Sequence, residues 1–301
     1  NKNKTVKIPL SETNKYVIWL SYFIFMILVV SATTHKIEDD DFFWHLSTGK
    51  YITESGSIPV TDVFGYAAPE TKWIPFEWGS DILFYKIFQA FGYNGIYIFR
   101  SVVFCIIFVI LFRLYSKFRI NLIIYLLGSF ILLAGMFNRF SPRPHLFTYL
   151  FLAIMLYLLL TYRYIDRDKY INRLYILPVI FLLWGNLHPG VITGIIFLII
   201  FTVSEILSYK FPSLTLGSFD KIKEAGRLKI LVIITLISLL VLLVNPHGFS
   251  TYQYIYQHTN MKMLENIAEW ISPFSSKINA TFVITIYKIL LFSSIAVLYF
   301  E

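Results

Sequence analysis

Eight uninterrupted apolar runs decide what this chain can fold into: residues 17–34, 94–112, 120–137, 146–162, 174–188, 190–208, 229–245 and 279–300. A helix rises ~1.5 Å per residue, so a run of roughly 17–25 apolar residues matches the ~30 Å hydrocarbon layer of a bilayer. Composition points the same way. Of 301 residues 57% are hydrophobic and 15% charged, with mean hydropathy +0.65, whereas a soluble globule needs roughly 25% charged residues to solvate its surface. The single cysteine, Cys105, lies in an apolar run, which leaves disulfides, thiolate zinc sites and Cys-His nucleophilic pairs without support. The expected fold class is an all-α polytopic membrane protein with about eight transmembrane helices in a single domain over residues 1–301.

Orientation follows from the basic residues. With the N-terminus in the cytoplasm, sixteen of the 26 Lys and Arg fall in short cytoplasmic segments, and the other ten are spread over longer external loops and the spans. The net charge of +8 is thereby assigned to topology, and no nucleic-acid partner is expected. Pro9 and polar residues precede the first apolar run, which argues against a cleaved signal peptide. On this map all six histidines, His35, His45, His145, His188, His247 and His258, lie at the external face with most of the acids. The cytoplasmic loops carry no glycine-rich phosphate motif. Any chemistry faces outward.

The long external segment, 35–93, opens with Glu38-Asp39-Asp40-Asp41 at the end of the first span. Two amphipathic stretches follow, 41–54 and 77–91, separated by turn-rich sequence. In the first, Asp41, His45 and Gly49 recur every four residues and share one helical face. The spacing predicts helices lying at the membrane surface, with Trp44 and its aromatic neighbours at headgroup level. Asp39 or Asp41 is then a candidate general base or metal ligand, able to take a proton from an acceptor hydroxyl beside a lipid-borne phosphate. The plain alternative is a solvated acidic run that marks the end of a span.

A second set of residues caps later spans. Asn138-Arg139-Phe140-Ser141-Pro142-Arg143-Pro144-His145 puts two arginines in a short, proline-stiffened external hairpin, against the positive-inside trend. Guanidinium groups there suit a phosphate, or else snorkel to lipid headgroups. Asn186-Leu187-His188-Pro189-Gly190 and Asn245-Pro246-His247-Gly248 each bring an Asn and a His to the boundary. Those histidines can bind phosphate, relay a proton or join the aspartates around a metal, although the spacing matches no compact metal motif. Glu269-Trp270 lies in a second external segment, 246–277. Arg100 and Lys288 sit inside spans, where an ionisable group needs a partner; Arg100 is expected to snorkel outward and Lys288 to pair with an acid in the bundle.

In order, Asp39-x-Asp41-x-x-Trp44-His45-x-x-x-Gly49, Ile58-Pro59-x-x-Asp62-x-Phe64, Glu77-Trp78, Arg143-Pro144-His145, Trp184-Gly185-Asn186-Leu187-His188, Asn245-Pro246-x-Gly248 and Glu269-Trp270 resemble bacterial multi-span proteins of the C-type glycosyltransferase superfamily (GT-C). The resemblance spans about residues 35–275. It implies a polyprenyl-phosphate-linked sugar as donor, a first-loop Asp as base or acceptor-orienting group, two surface helices, and basic residues near the lipid phosphate. Asp39 and Asp41 match the acidic motif; Asp40 stands where a non-acid is commoner. Members commonly continue into further helices or a soluble domain, so the expectation is either a C-terminal region missing beyond Phe300-Glu301 or a protein that lacks the acceptor domain.

The expectation is therefore a GT-C-like, inverting sugar transfer to an extracytoplasmic glycan, lipid or protein at a bacterial plasma membrane. Asp41 and Asp39 are the expected catalytic residues. Arg139, Arg143, His145, His45, His188, Asn186, His247, Glu77, Glu269 and Trp44 are the expected substrate contacts. A Mg or Mn ion at Asp39 and Asp41 is allowed but not required. Two other functions fit the same sequence: a transporter or flippase of a lipid-linked or anionic solute, and a non-catalytic lipid-binding subunit of an envelope complex.

Overall fold

Helix α1 (Lys15–Thr33) leaves Trp19, Leu20, Phe23 and Ile27 exposed, as a helix apolar on every side does when lipid is its solvent. The computed structural model describes residues 15–37, 39–65, 71–211 and 221–259, with isolated positions between 271 and 292. Among these the chain is helical, with one antiparallel bridge between Thr61 and Lys72.

Helix α2 (Asp40–Ser55) starts where Asp39 turns extended and its carboxylate accepts the Asp41 N–H at 3.1 Å. Asp40 and Asp41 then place negative charge in the first turn, where the helix dipole favours it. Helix α3 (Trp78–Phe118) is broken at Gly92, whose φ of 60° suits glycine and strains other residues. The expected amphipathic helix 77–91 and the expected span from 94 are thus the two arms of one kinked element. At the crossing of α2 and α3, a Cβ on Gly49 would stand 2.0 Å from the Asp81 carbonyl oxygen, so only a glycine lets the two backbones approach this closely.

The remaining elements are α4 (Leu122–Gly135), α5 (His145–Tyr164), the short α6 (Arg167–Tyr170), α7 (Leu177–Leu187), α8 (Val191–Lys210), α9 (Lys221–Leu240) and α10 (Phe249–Thr259). A 3₁₀ stretch, Ile171–Ile176, joins α6 to α7. Helix α7 stops at His188, which is extended (φ −160°, ψ 137°) because Pro189 follows it. One core forms between α2, α3, α5, α7, α8 and α9 around Trp184, Phe84 and Phe181. A second, around Phe104, Phe108 and Phe140, ties α1 and α4 to α3 and the start of α5.

Six helices among the described residues are long and apolar enough to cross a membrane: α1, α3, α5, Arg167–Leu187, α8 and Glu224–Leu243. The expected count of eight is not reached. Run 120–137 folds as the 14-residue α4 followed by a 3₁₀ turn, Phe137–Arg139, and is only ~21 Å long as a helix. Run 279–300 lies largely outside the described residues.

Charged side chains gather at the two ends of the helices. At the end where α5 and α8 finish and α9 begins, Glu205 is buried and accepts from Arg163 and Arg167 at 2.8 Å each. Arg167 also pairs with Glu224, Glu224 with Arg227, and Arg227 with Asp168 at 2.6 Å. Three guanidinium groups and three carboxylates therefore neutralise one another and join α5, α6, α8 and α9. The candidate site lies at the opposite end.

Candidate functional site

Asp39 does more than cap α2. Its carboxylate also accepts from the Ser141 hydroxyl, from Arg143 Nε, and from Arg143 Nη2 at 2.6 Å. Arg143 Nη1 reaches Asp41 Oδ2 at 2.9 Å, so one guanidinium holds both expected catalytic acids. Pro142 and Pro144 restrict the backbone on either side of Arg143, which fixes this fork before any ligand arrives. Burial pushes the Asp39 carboxyl up, but the hydrogen bonds from Arg143 and Ser141 outweigh it and hold it below the usual carboxylate range. The two acids differ in access: the Asp39 side chain is 13% exposed and that of Asp41 63%.

A polar cavity of about 570 Å³ opens beside this pair, lined among others by Lys36, Asp39, Asp41, Arg100, Ser141 and Arg143. Arg100 is fully buried rather than snorkelling outward. It donates to the carbonyl oxygens of Phe140 (2.9 Å) and His35 (2.6 Å), tying the end of α1 to the link before α5. Its carbonyl partners explain the difference from the sequence expectation: the two Nη groups find backbone acceptors without reaching the interface, while Nε makes no hydrogen bond among the described residues.

A second cluster forms around Glu77, the residue before α3. Although Glu77 is the N-cap residue of that helix, its side chain makes no capping bond. Both oxygens instead face imidazoles: His188 Nε2 stands 3.3 Å from Oε1, and His45 Nε2 stands 3.8 Å from Oε2. His45 is anchored from behind by Asp81, whose Oδ1 lies 2.7 Å from Nδ1. Asp81 comes one helical turn after Glu77, so the two acids flank the same imidazole from one face of α3.

The protonation of His188 can be read from its neighbours. The Gly190 N–H can only donate, and it lies 2.9 Å from His188 Nδ1. Thr148 Oγ1 lies 2.7 Å from the same nitrogen and itself receives the Trp184 indole N–H at 2.9 Å, so its hydroxyl proton turns to the imidazole. Nδ1 is therefore the acceptor nitrogen, and the neutral ring carries its proton on Nε2, facing Glu77. Burial, with the charges of His145 and His45, depresses His188 to about 3 and keeps the ring neutral. Burial also lifts Glu77 to about 7, against the pull of His45 and with a push from Asp81 and Asp41. For His45 burial works downward, but the bond to Asp81 and the charge of Glu77 outweigh it and raise its proton affinity.

The other expected contacts are distributed around these two clusters. Asn186 is a latch: it donates to the Leu182 and Val244 carbonyls and accepts the Trp78 indole N–H at 3.2 Å. His145 faces the Arg139 carbonyl oxygen (3.0 Å) and shapes the hairpin, while Arg139 itself is exposed. Trp44 packs edge-on against Phe64 and Trp73, away from the carboxylates. His247 lies in the 245–248 turn, where burial, then Lys72, lowers its proton affinity. Glu269 lies outside the described residues, as do the side chains of Asn138 and His258. Lys288, expected to pair with an acid, stands over the Phe274 ring at 5.4 Å.

Asp81, Ser141 and Thr148 join the site without having been singled out from sequence. Only Asp81 had a visible signal, its spacing of four from Glu77. Nor do the aspartates fit a divalent cation while Arg143 occupies them, since the guanidinium already supplies their positive partner. Among the described residues no group of three or more His, Cys, Asp or Glu is placed to hold a metal. His188 presents a proton, not a lone pair, to Glu77, which removes it as an Nε2 ligand in the neutral state. No family model, no curated protein and no solved structure matches the chain.

Proposed function

We propose that this chain is a membrane glycosyltransferase that moves a sugar, with inversion, from a polyprenyl-phosphate donor to a hydroxyl on an extracytoplasmic glycan, lipid or protein. The observation that carries the reading is the juxtaposition at one end of the helices. A preorganised guanidinium, Arg143, borders a polar cavity, and a carboxylate–imidazole cluster around Glu77 lies close enough for Arg143 to act on it electrostatically. Such a transfer needs both parts: positive charge where the departing phosphate gains negative charge, and a proton acceptor for the attacking hydroxyl.

In this account Asp39 and Asp41 act through Arg143. They hold its fork at the cavity, and the more exposed Asp41 orients the acceptor. The basic excess of the opposite end in the sequence supports a cytoplasmic position for that end and an external one for the site. Helix α2 and the first arm of α3 lie at the outer membrane surface, and the apolar sequence of residues 279–300 is long enough for a further span. The plasma membrane is the location this orientation implies.

The test is binding and transfer with the full chain in lipid nanodiscs and a panel of radiolabelled polyprenyl-phosphate sugars. At least one donor should bind and pass its label to an envelope acceptor, and Arg143→Ala should weaken binding about tenfold or more. If no donor binds at all, the transferase reading is wrong.

A further inference from the structure

We propose that Glu77 is the catalytic base, the group that takes the acceptor hydroxyl's proton, with His188, His45 and Asp81 as the residues that position it. The proposal rests on the transferase reading above and names the carboxylate that reading requires.

Three carboxylates are candidates, and the geometry separates them. Asp39 has both oxygens engaged by Arg143, with Ser141 and the Asp41 N–H adding further donors, so little lone-pair capacity remains for a substrate proton. Asp41 is exposed and has Oδ2 taken up by the Arg143 guanidinium at 2.9 Å, which leaves that oxygen engaged before a substrate arrives. Glu77 differs from both. Its side chain is 19% exposed, makes no capping bond to α3, and is paired with no permanent cation among the described residues.

Its two neighbours are suited to opposite jobs. His188, locked as the Nε2–H tautomer by Gly190, Thr148 and Trp184, turns that N–H towards Oε1 at 3.3 Å and gives the carboxylate a polar neighbour on one side. His45 has its Nδ1 bound to Asp81 and turns Nε2 towards Oε2, with 3.8 Å between them. A small side-chain rotation closes that gap to hydrogen-bond length, as catalytic contacts commonly tighten on substrate binding. The groups facing Glu77 are His45 and Asp41 from α2, Asp81 from α3, Arg143 from the link before α5, and His188 after α7.

The proposed step balances as follows. The acceptor oxygen forms a bond to the anomeric carbon as the bond from that carbon to the phosphate oxygen breaks. Polyprenyl phosphate leaves with the electron pair beside Arg143. The acceptor O–H bond breaks and its proton passes to the Glu77 carboxylate, from which His45 Nε2, backed by Asp81, receives it when the products leave. A base of this kind acts near neutral pH, where a lifted carboxyl is partly ionised yet holds a proton well.

The experiment uses the full chain in nanodiscs with the polyprenyl-phosphate sugar that gives transfer. Rates are followed from about pH 5 to about pH 9, and donor affinity is measured separately. Wild type should gain rate as pH rises through about 7, as Glu77 loses its proton. Glu77→Gln should lower kcat by about 10²-fold or more with donor Kd unchanged within about threefold, and should lose that acid limb. Asp41→Asn should slow transfer while keeping the limb. As an activity-free readout, the infrared C=O band of a protonated carboxyl should fade over the same pH range in wild type and be missing from Glu77→Gln. Near-wild-type kcat in Glu77→Gln, or an acid limb lost from Asp41→Asn and kept by Glu77→Gln, would overturn the assignment. No transfer of any sugar by wild type is a different failure: it removes the transferase reading, and this proposal with it.

Discussion

The Nε2 of His188 stands 3.3 Å from Oε1 of Glu77, and the far side of the same ring is fixed by a backbone N–H and a hydroxyl. A histidine that ends α7 thereby turns its one N–H towards a carboxylate at the start of α3. The chain Trp184–Thr148–His188–Glu77 links the centre of the main core to the site, so a change in the core side chains should be read out at the carboxylate.

Thr148 is the sharpest place to test that link. Thr148→Val keeps the shape but leaves the Trp184 indole N–H without its acceptor, Trp184 being fully buried. The expected loss is about 1–3 kcal/mol in thermal or denaturant unfolding, the cost of an unsatisfied buried donor. The Gly190 N–H still donates to Nδ1, so His188 should keep its tautomer while its Nδ1 signal shifts in ¹⁵N spectra with the loss of the hydroxyl donor. Unchanged stability and an unshifted Nδ1 signal would argue against the chain of bonds.

Stability should fall as pH rises from about 4.5 through about 7, the interval between the unfolded and folded values of Glu77. Glu77 is raised from its ordinary 4.5 to about 7, so the folded state holds a proton that the unfolded state releases. Its contribution is therefore present at low pH and is lost as pH climbs through about 7. His45, also raised, acts in the same sense: its contribution is complete below its ordinary 6.5 and disappears as pH passes above its folded-state value. Melting temperature in nanodiscs should drop across this window, on the order of 2 kcal/mol in all, and the slope should be shallower in Glu77→Gln. Asp39 is lowered, so its contribution is present above its ordinary 3.8 and fails only at more acidic pH, outside this window.

Arg143→Lys preserves the charge but not the fork that serves Asp39 and Asp41 together. Donor affinity should fall about tenfold, with a stability loss of about 1 kcal/mol because a cation still faces Asp39. Equal affinity in lysine and arginine forms would show that point charge alone suffices.

At the other end, Glu205→Gln leaves Arg163 and Arg167 without the carboxylate they share. A stability loss of about 3 kcal/mol is expected, as when one partner of a buried ion pair is removed. Donor binding, measured under conditions where the variant is folded, should stay at the wild-type level, since the site is at the opposite end of the helices.

Much of the scaffold was legible in the sequence, for local reasons. The four-residue spacing of Asp41, His45 and Gly49 sets them along one side of α2, of which His45 and Gly49 are buried and Asp41 is exposed, and stretch 77–91 ends where Gly92 breaks the helix. Run 120–137 misled because hydropathy does not register the turn at Met136–Arg139, which shortens α4. Arg143 was legible as a fixed cation but not as the shared partner of Asp39 and Asp41. The meeting of Glu77 with His188 was hidden altogether, because it depends on how α3 and α7 pack. The lock on His188 was hidden further, since it needs Thr148 from α5 as a third party.

The most direct measurement is a single turnover: full chain in nanodiscs loaded with a radiolabelled polyprenyl-phosphate sugar, mixed with acceptor, and quenched over time to follow free polyprenyl phosphate. Wild type should release the lipid phosphate in step with sugar transfer. Glu77→Gln should bind the same donor and release it about 10²-fold more slowly. Donor that binds to wild type and stays intact with every acceptor would contradict the account, leaving a protein that holds the lipid-linked sugar without transferring it.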